Sequence, residues 1–231
     1  MKISKMLQLN NIVKSYINPG NNSIRKVLDE ISLTVESGDS IAIVGPSGSG
    51  KSTLLNIIGT LDVPTSGNLL FHGQEISSLP EPTLANIRNL HIGFVFQMHY
   101  LLPQLNLIEN VLVPVIPQKN KEKRKAAASR ALDLLQTVGL ADRIHQLPGQ
   151  LSVGECQRAA VVRALINEPE LLLADEPTGS LDQQSAAQMG ELLSDINKNL
   201  GVTTIVVTHS TDLANKMKVV YNLTNSKLIK R

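Results

Sequence analysis

"IAIVGPSGSGKSTLLNIIG", residues 41–59, is the stretch on which the reading of this chain turns. Four apolar residues run straight into Gly45, and an apolar pattern of helical period resumes just after Lys51. Between them "GPSGSGKS" fits G-x-x-x-x-G-K-[ST], a loop that turns a strand into a helix around phosphate. Gly45, Gly48 and Gly50 allow a tight turn and a close backbone approach without a Cβ in the way. The loop and the helix N-terminus then present positive ends to the β-phosphate. The nucleotide-binding set is therefore Gly45, Pro46, Ser47, Gly48, Ser49, Gly50, Lys51, Ser52 and Thr53. Lys51 is expected to reach the β and γ oxygens, and Ser52 to offer its hydroxyl to Mg²⁺. A dinucleotide fold is disfavoured, because the glycine spacing is not G-x-G-x-x-G. The stretch predicts binding of ATP or GTP.

Three more apolar runs accompany the first: "IGFVFQ" (92–97), "LLLAD" (171–175) and "TTIVVTH" (203–209). Alternating with helical patterns, they predict an α/β domain with a mainly parallel sheet. Such sheets bind ligands beyond the carboxyl ends of their strands. There the sequence places Gln97, Asp175 with Glu176, and His209, all able to do phosphate chemistry. Asp175 is expected to hold Mg²⁺ through its water shell, and Glu176 to polarise an attacking water. Gln97 could touch both the metal and the water, and His209 could hydrogen-bond the γ-phosphate. The first forty residues alternate apolar and polar, as half-exposed antiparallel strands do. After the irregular "LLPQLNLIENVLVPVIP" the pattern turns helical as far as Glu168. The expected organisation is one domain over 1–231. Its nucleotide-binding core takes 1–97 and 169–231, with a helical subdomain inserted at 98–168.

A formal charge of +2 is too small to indicate nucleic acid. No apolar run approaches the eighteen or so residues that cross a bilayer. The amino terminus carries no secretory signal pattern, and the single Cys156 fits a reducing compartment. Any work at a membrane must then be held there by a partner. The basic run "KNKEKRK" (119–125) reads as a solvated helix start, with contact to anionic lipid as the alternative. "LSVGECQR" (151–158) puts Ser152 and Glu155 in the S-x-x-E spacing of a capping box. Val153 stands there where a glycine is expected.

The phosphate loop, Gln97, "LSVGE", "ADEPTGSLD" and "VVTH", in this order, resemble the ATP-binding subunits of ABC transporters. The resemblance covers essentially the whole chain. It implies ATP and Mg²⁺, and a head-to-tail homodimer sandwiching two nucleotides. Each nucleotide lies between the phosphate loop of one subunit and Ser152, Gly154 and Glu155 of the other. It also implies that the loop through Asp182 crosses the interface and that Tyr16 stacks on adenine. "GFVFQMHYLLPQLNLIENVLVP" is most similar to the exporter branch with LolD-type lipoprotein-releasing and MacB-type efflux ATPases, and "HYLLP" to the former. The implied partners are integral membrane permease subunits, which hold the protein at the cytoplasmic face of the inner membrane. A fused pump is not expected of a sequence ending at Arg231. A separate subunit of a MacB-like system and an FtsE-like regulatory scaffold share all these motifs. A soluble member acting on DNA or ribosomes does not fit, since it expects a long coiled coil or tandem halves.

Overall fold

Alternation along the four apolar runs builds the centre of the molecule, described here by a computed structural model for residues 5–17, 20 and 23–231. The rest of the amino terminus, and residues 18–19 beside Tyr16, lie outside the described residues. In chain order the strands and helices begin with β1 (Lys5–Ile17), β2 (Ile24–Glu36), β3 (Ser40–Val44) and α1 (Lys51–Ile58). They continue with β4 (Ser66–Phe71), β5 (Gln74–Glu75), α2 (Glu81–His91) and β6 (Ile92–Val95). A helical block follows: α3 (Leu107–Leu112), α4 (Lys121–Thr137) and α5 (Val153–Leu165). The chain closes with β7 (Leu171–Asp175), α6 (Gln183–Leu200), β8 (Thr203–Val207), α7 (Thr211–Ala214), β9 (Val219–Thr224) and β10 (Lys227–Lys230).

The core sheet has the order β10-β9-β3-β8-β7-β6, parallel throughout except for the β9–β10 pair. Successive strand residues point to opposite faces. Ile41, Ile43, Leu171, Leu173, Ile205 and Val207 therefore share one buried face with Leu54, Leu55, Ile57 and Ile58 of α1. Ala42, Val44, Leu172, Ala174 and Val206 share the other with Met189, Leu193 and Ile196 of α6 and with Val161 and Leu165 of α5. Both faces are covered, which is why these strands read as unbroken apolar runs.

The predicted antiparallel part is larger than the sequence suggested. Strands β2-β1-β4-β5 form a second sheet, and its Leu7, Leu9, Ile31 and Leu69 complete the α1 side of the core. Glu170, at the entry to β7, draws these layers together. Its two carboxylate oxygens each lie 2.7 Å from a ring nitrogen, one of His72 after β4 and one of His91 at the end of α2. In the helical block, α3, α4 and α5 enclose a core of their own around Leu107, Val111, Ala131, Leu135 and Val162.

Two strands stop short of the expected ends. β6 ends at Val95 and β8 at Val207, so Gln97 and His209 stand two residues beyond the sheet. The reason at β6 is Gln157 of α5, buried at 1 % exposure, whose amide donates to the Phe96 carbonyl at 2.6 Å. A carbonyl held by α5 is not offered to a neighbouring strand.

Candidate functional site

β3 delivers the chain into the phosphate loop at the carboxyl edge of the sheet. Gly50 caps α1 at φ 101°, and a Cβ there would stand 2.7 Å from Val27 Cγ1. A Cβ on Gly45 would stand 2.3 Å from the Leu223 carbonyl oxygen. Both places are closed to any side chain, so the glycines are required by packing as well as by backbone angle. Lys51 is 7 % exposed. Its ammonium donates to the carbonyls of Gly45 at 3.0 Å and Pro46 at 3.1 Å. A buried ammonium needs such partners, and phosphate oxygens can replace these two. Ser49 Oγ is buried without a hydrogen-bond partner among the described residues, an orphan that a phosphate oxygen would satisfy. The loop fits the ligand its sequence implies.

Across from the loop, Ser52 Oγ donates to Asp175 Oδ1 at 3.1 Å. Burial pushes the Asp175 carboxyl above the ordinary aspartate range; the Ser52 hydroxyl opposes this, the nearby Glu176 charge adds to it, and Lys51 opposes it. A hydroxyl and a carboxylate already in contact are a fitting pair of oxygen donors for Mg²⁺. Glu176 follows at φ 46°, a left-handed conformation costly for a side chain of this kind. Its amide donates to the Val207 carbonyl at 2.8 Å, which ties the β7 ending to β8. Its Oε2 accepts from the His209 amide at 3.1 Å and lies 2.9 Å from His209 Nδ1. Gln97 is exposed beside them. A Cβ on Gly179 would stand 3.0 Å from its amide nitrogen, and Ser180 Oγ donates to its carbonyl at 3.4 Å.

Tyr16, 43 % exposed, lines a cleft of about 330 Å³ with Gly48, Gly50, Lys51, Ser52 and Thr53. The Tyr16 hydroxyl donates to Asp62 Oδ2 at 2.9 Å, which holds the ring in place. Arg25 shares this cleft and donates to the Gly48 carbonyl at 3.3 Å. Sequence reading passed over Arg25, since it sits in an ordinary strand with no motif around it.

A second cluster stands apart from the first. Ser152 caps α5 and accepts from the Glu155 amide at 3.2 Å, while Glu155 Oε2 accepts from the Ser152 amide at 2.8 Å. The Ser152 amide and hydroxyl together hold the Glu155 carboxyl below the usual glutamate range, against a small opposing effect of burial. Val153 is the first helical residue, 52 % exposed, and is not among the residues at positive φ. A valine is unstrained there. A Cβ on Gly154 would stand 3.1 Å from Ser185 Oγ of α6. Asp182 caps that helix by accepting from the Ser185 amide at 3.0 Å. So Ser152, Gly154, Glu155 and Asp182 come together, but among the described residues no hydrogen bond or ion pair joins them to the phosphate loop.

A further cleft, about 460 Å³ and mostly apolar, lies at neither cluster. Phe94 of β6 and Phe96 just after it, Val113 and Pro114 after α3, and Arg88 of α2 line it. Arg163 of α5 borders it too, and donates to the carbonyls of His99 and Tyr100, both at 2.7 Å. With Gln157, Arg163 fixes the segment after Gln97. Both residues were missed at the sequence level, where they read as ordinary helix positions.

The family model of the ABC transporter matches residues 28–179. The lipoprotein-releasing system ATP-binding protein LolD of Syntrophus aciditrophicus is 45 % identical, over 97 % of this chain and 99 % of its own. The uncharacterized ABC transporter ATP-binding protein YvrO of Bacillus subtilis is 49 % identical, over 91 % of this chain and 90 % of its own. Among solved structures, dimeric MJ0796, a bacterial ABC transporter cassette, superposes with a TM-score of 0.86 at 38 % identity, covering 96 % of each chain. A post-hydrolysis dimer of the same cassette, bound to ADP and phosphate, superposes with a TM-score of 0.84 at 37 % identity and equal coverage.

Proposed function

The chain belongs to the ABC transporter family as one of its ATP-hydrolysing subunits, and from this we infer how its two residue clusters work. Each cluster is half of a composite site, completed by the opposite cluster of a second copy. One observation carries this reading. The phosphate loop with its carboxylates, and the capped start of α5 with Asp182, are each well formed, yet among the described residues no hydrogen bond or ion pair joins the α5 start or Asp182 to the loop. Two copies placed head to tail bring loop and helix start together twice. That the solved relatives at 37–38 % identity are dimers, one holding ADP and phosphate, supports the arrangement.

Within such a site the phosphate loop and Lys51 bind the β- and γ-phosphates, Tyr16 stacks on the base, and Ser52, Asp175 and Gln97 hold Mg²⁺. When bound, that ion neutralises charge on the phosphates. Glu176 is the general base. It accepts a proton from water as the water oxygen bonds to the γ-phosphorus, and the bond to the β-bridging oxygen breaks to leave ADP and phosphate. The His209 ring, now paired to the Glu176 carboxylate, exchanges that contact for the γ-phosphate, while the His209 backbone amide keeps the base oriented. The free amides at the start of α5 in the opposite copy face the γ-phosphate.

The work is passed to integral membrane permeases, a reading supported by membership of the ABC transporter family. Residues 98–115 and the apolar cleft beside them are the docking surface, held by Gln157 and Arg163. The assembly sits at the cytoplasmic face of the inner membrane. Lipoprotein release is the favoured task, on the strength of the LolD relatives at 42–48 % identity. The relative YvrO, at 49 %, carries no named substrate and keeps a MacB-like efflux role in contention. Reconstitution with the co-purified permease decides between them. ATP-driven release of a membrane-bound lipoprotein supports the first reading, and its absence alongside active efflux of a small molecule or peptide rejects it.

A further inference from the structure

The basic run that opens α4 takes no part in the site described above. Residues 119–125 hold four lysines and Arg124 against the single acid Glu122. Lys119, Lys121, Lys123 and Lys125 are all exposed, and none has an ion-pair partner among the described residues. Their placement is locally unfavourable. Cations near a helix N-terminus oppose its dipole, and Lys121 and Lys125, four apart, are like charges on one helix face. The Asn120 cap and Glu122 in the first turn offset part of these costs, but among the described residues no ion pair answers the lysines.

The neighbouring corner is apolar and exposed. Ile116 is 64 % exposed, and Pro117 follows it at the surface. Arg124 Nη2 donates to the Ile116 carbonyl at 2.8 Å, which clamps this corner against the first turns of α4. The corner continues directly from Val113 and Pro114, which line the apolar cleft. Lysines ringing a fixed apolar corner suit an interface of anionic headgroups over hydrocarbon, where four to eight basic residues make an effective cluster. A solvated helix start explains the charge, but not the apolar corner pinned beside it.

We propose that Ile116, Pro117 and the lysines of residues 119–125 contact the anionic phospholipid surface beside the permease. The proposal rests on the reading that the cleft is the permease dock, and adds a direct lipid contact to it. Each lysine is worth about fivefold in partitioning to an anionic surface, so the cluster gives a salt-sensitive attraction that vesicles register and that orients a docked subunit.

The test uses the full chain and two readouts. Sedimentation with vesicles of mixed phosphatidylcholine and phosphatidylglycerol should capture the protein, whereas phosphatidylcholine alone should not, and raised salt should release it. The variant K119Q/K121Q/K123Q/K125Q should bind the mixed vesicles at least tenfold more weakly, and Ile116→Ser more weakly by a smaller factor, with basal ATP hydrolysis unchanged in both. Permease in detergent should stimulate the quadruple variant as it does the parent. The proposal is overturned if the parent ignores anionic vesicles, or if the quadruple variant binds them equally well. It is also overturned if that variant keeps vesicle binding but loses stimulation in detergent, which makes the lysines a protein contact. Lysine-dependent vesicle binding without any permease stimulation would support the lipid contact and sink the motor reading alone.

Discussion

Replacing Val153 with glycine restores the residue expected of the motif, and the structure says how little this should change. Val153 opens α5 in a helical conformation with half of its side chain in water. Glycine is a poorer helix former than valine by roughly 0.4 kcal/mol. Exposing the half-buried side chain's share of apolar surface adds at most about 1 kcal/mol. The sum, under about 1.5 kcal/mol, lowers Tm by no more than about 6 °C in a chain of this size. The groups offered to a nucleotide are unaffected, because the cap belongs to Ser152 and Glu155 and the close approach to Gly154. Steady-state ATP hydrolysis should therefore change by less than about tenfold, the worth of one charge-assisted hydrogen bond. The assay is phosphate release at saturating ATP, with a thermal melt of the same preparation. A hundredfold rise in hydrolysis would show that the valine cripples the natural loop, and the reading of two competent sites per homodimer would fall with it.

Other perturbations separate the remaining roles. Glu176→Gln keeps the shape of the side chain but not its basicity, so hydrolysis should drop by on the order of a hundredfold or more; an ATP-dependent dimer should appear on size exclusion, and near-normal turnover would remove Glu176 from its role. Gly50→Ala pushes a methyl to within 2.7 Å of Val27 at a positive φ, and retention of nucleotide affinity within a factor of two would contradict the account of the loop. Gln157→Leu strands the half-buried Phe96 carbonyl, at a cost of about 1–3 kcal/mol in urea unfolding; an unchanged midpoint would show that α5 does not fix the Gln97 segment. Because hydrogen bonds from Ser152 hold the Glu155 carboxyl low, its stabilisation is present above the unfolded glutamate value of about 4.3 and fades as pH falls through the lower folded value. The stability gap to Glu155→Gln should hold from pH 7 to about 5 and narrow below that, and a gap that widens with acid would reverse the assignment. Cysteines at Tyr100 or Gln104 should crosslink to a permease subunit, and silence at every nearby position would argue against docking there.

The parallel core was legible because each of its strands is buried on both sides. Burial on two faces writes an uninterrupted apolar run, and such runs stand out in any composition. The phosphate loop was legible for a different reason, since few residue types meet its demands on backbone angle and clearance. β5, two residues long and exposed, leaves no pattern at all, and the β9–β10 hairpin has only Leu223 fully buried. The site's outline followed from strand endings, but its tethers did not. Gln157 and Arg163 act through backbone carbonyls sixty-one to sixty-four residues away in sequence, and a carbonyl has no identity in a sequence. Nor could the Glu176–His209 pairing be read, because it depends on the turn that Glu176 makes at φ 46°.

The proposed composite site, built from two clusters carried on one chain, has a consequence for mixed populations. A subunit with a ruined phosphate loop still lends a sound α5 start, and a subunit with a ruined α5 start still lends a sound loop. When the two are combined, each heterodimer concentrates both injuries in one of its sites and leaves the other wholly intact. Random pairing of equal amounts makes half the dimers mixed, so about a quarter of all sites are restored from two inactive parents. Two alleles that are each null alone can then complement one another, and the defect that recurs in genetics as recessive is, at the level of the molecule, a matter of who stands opposite whom.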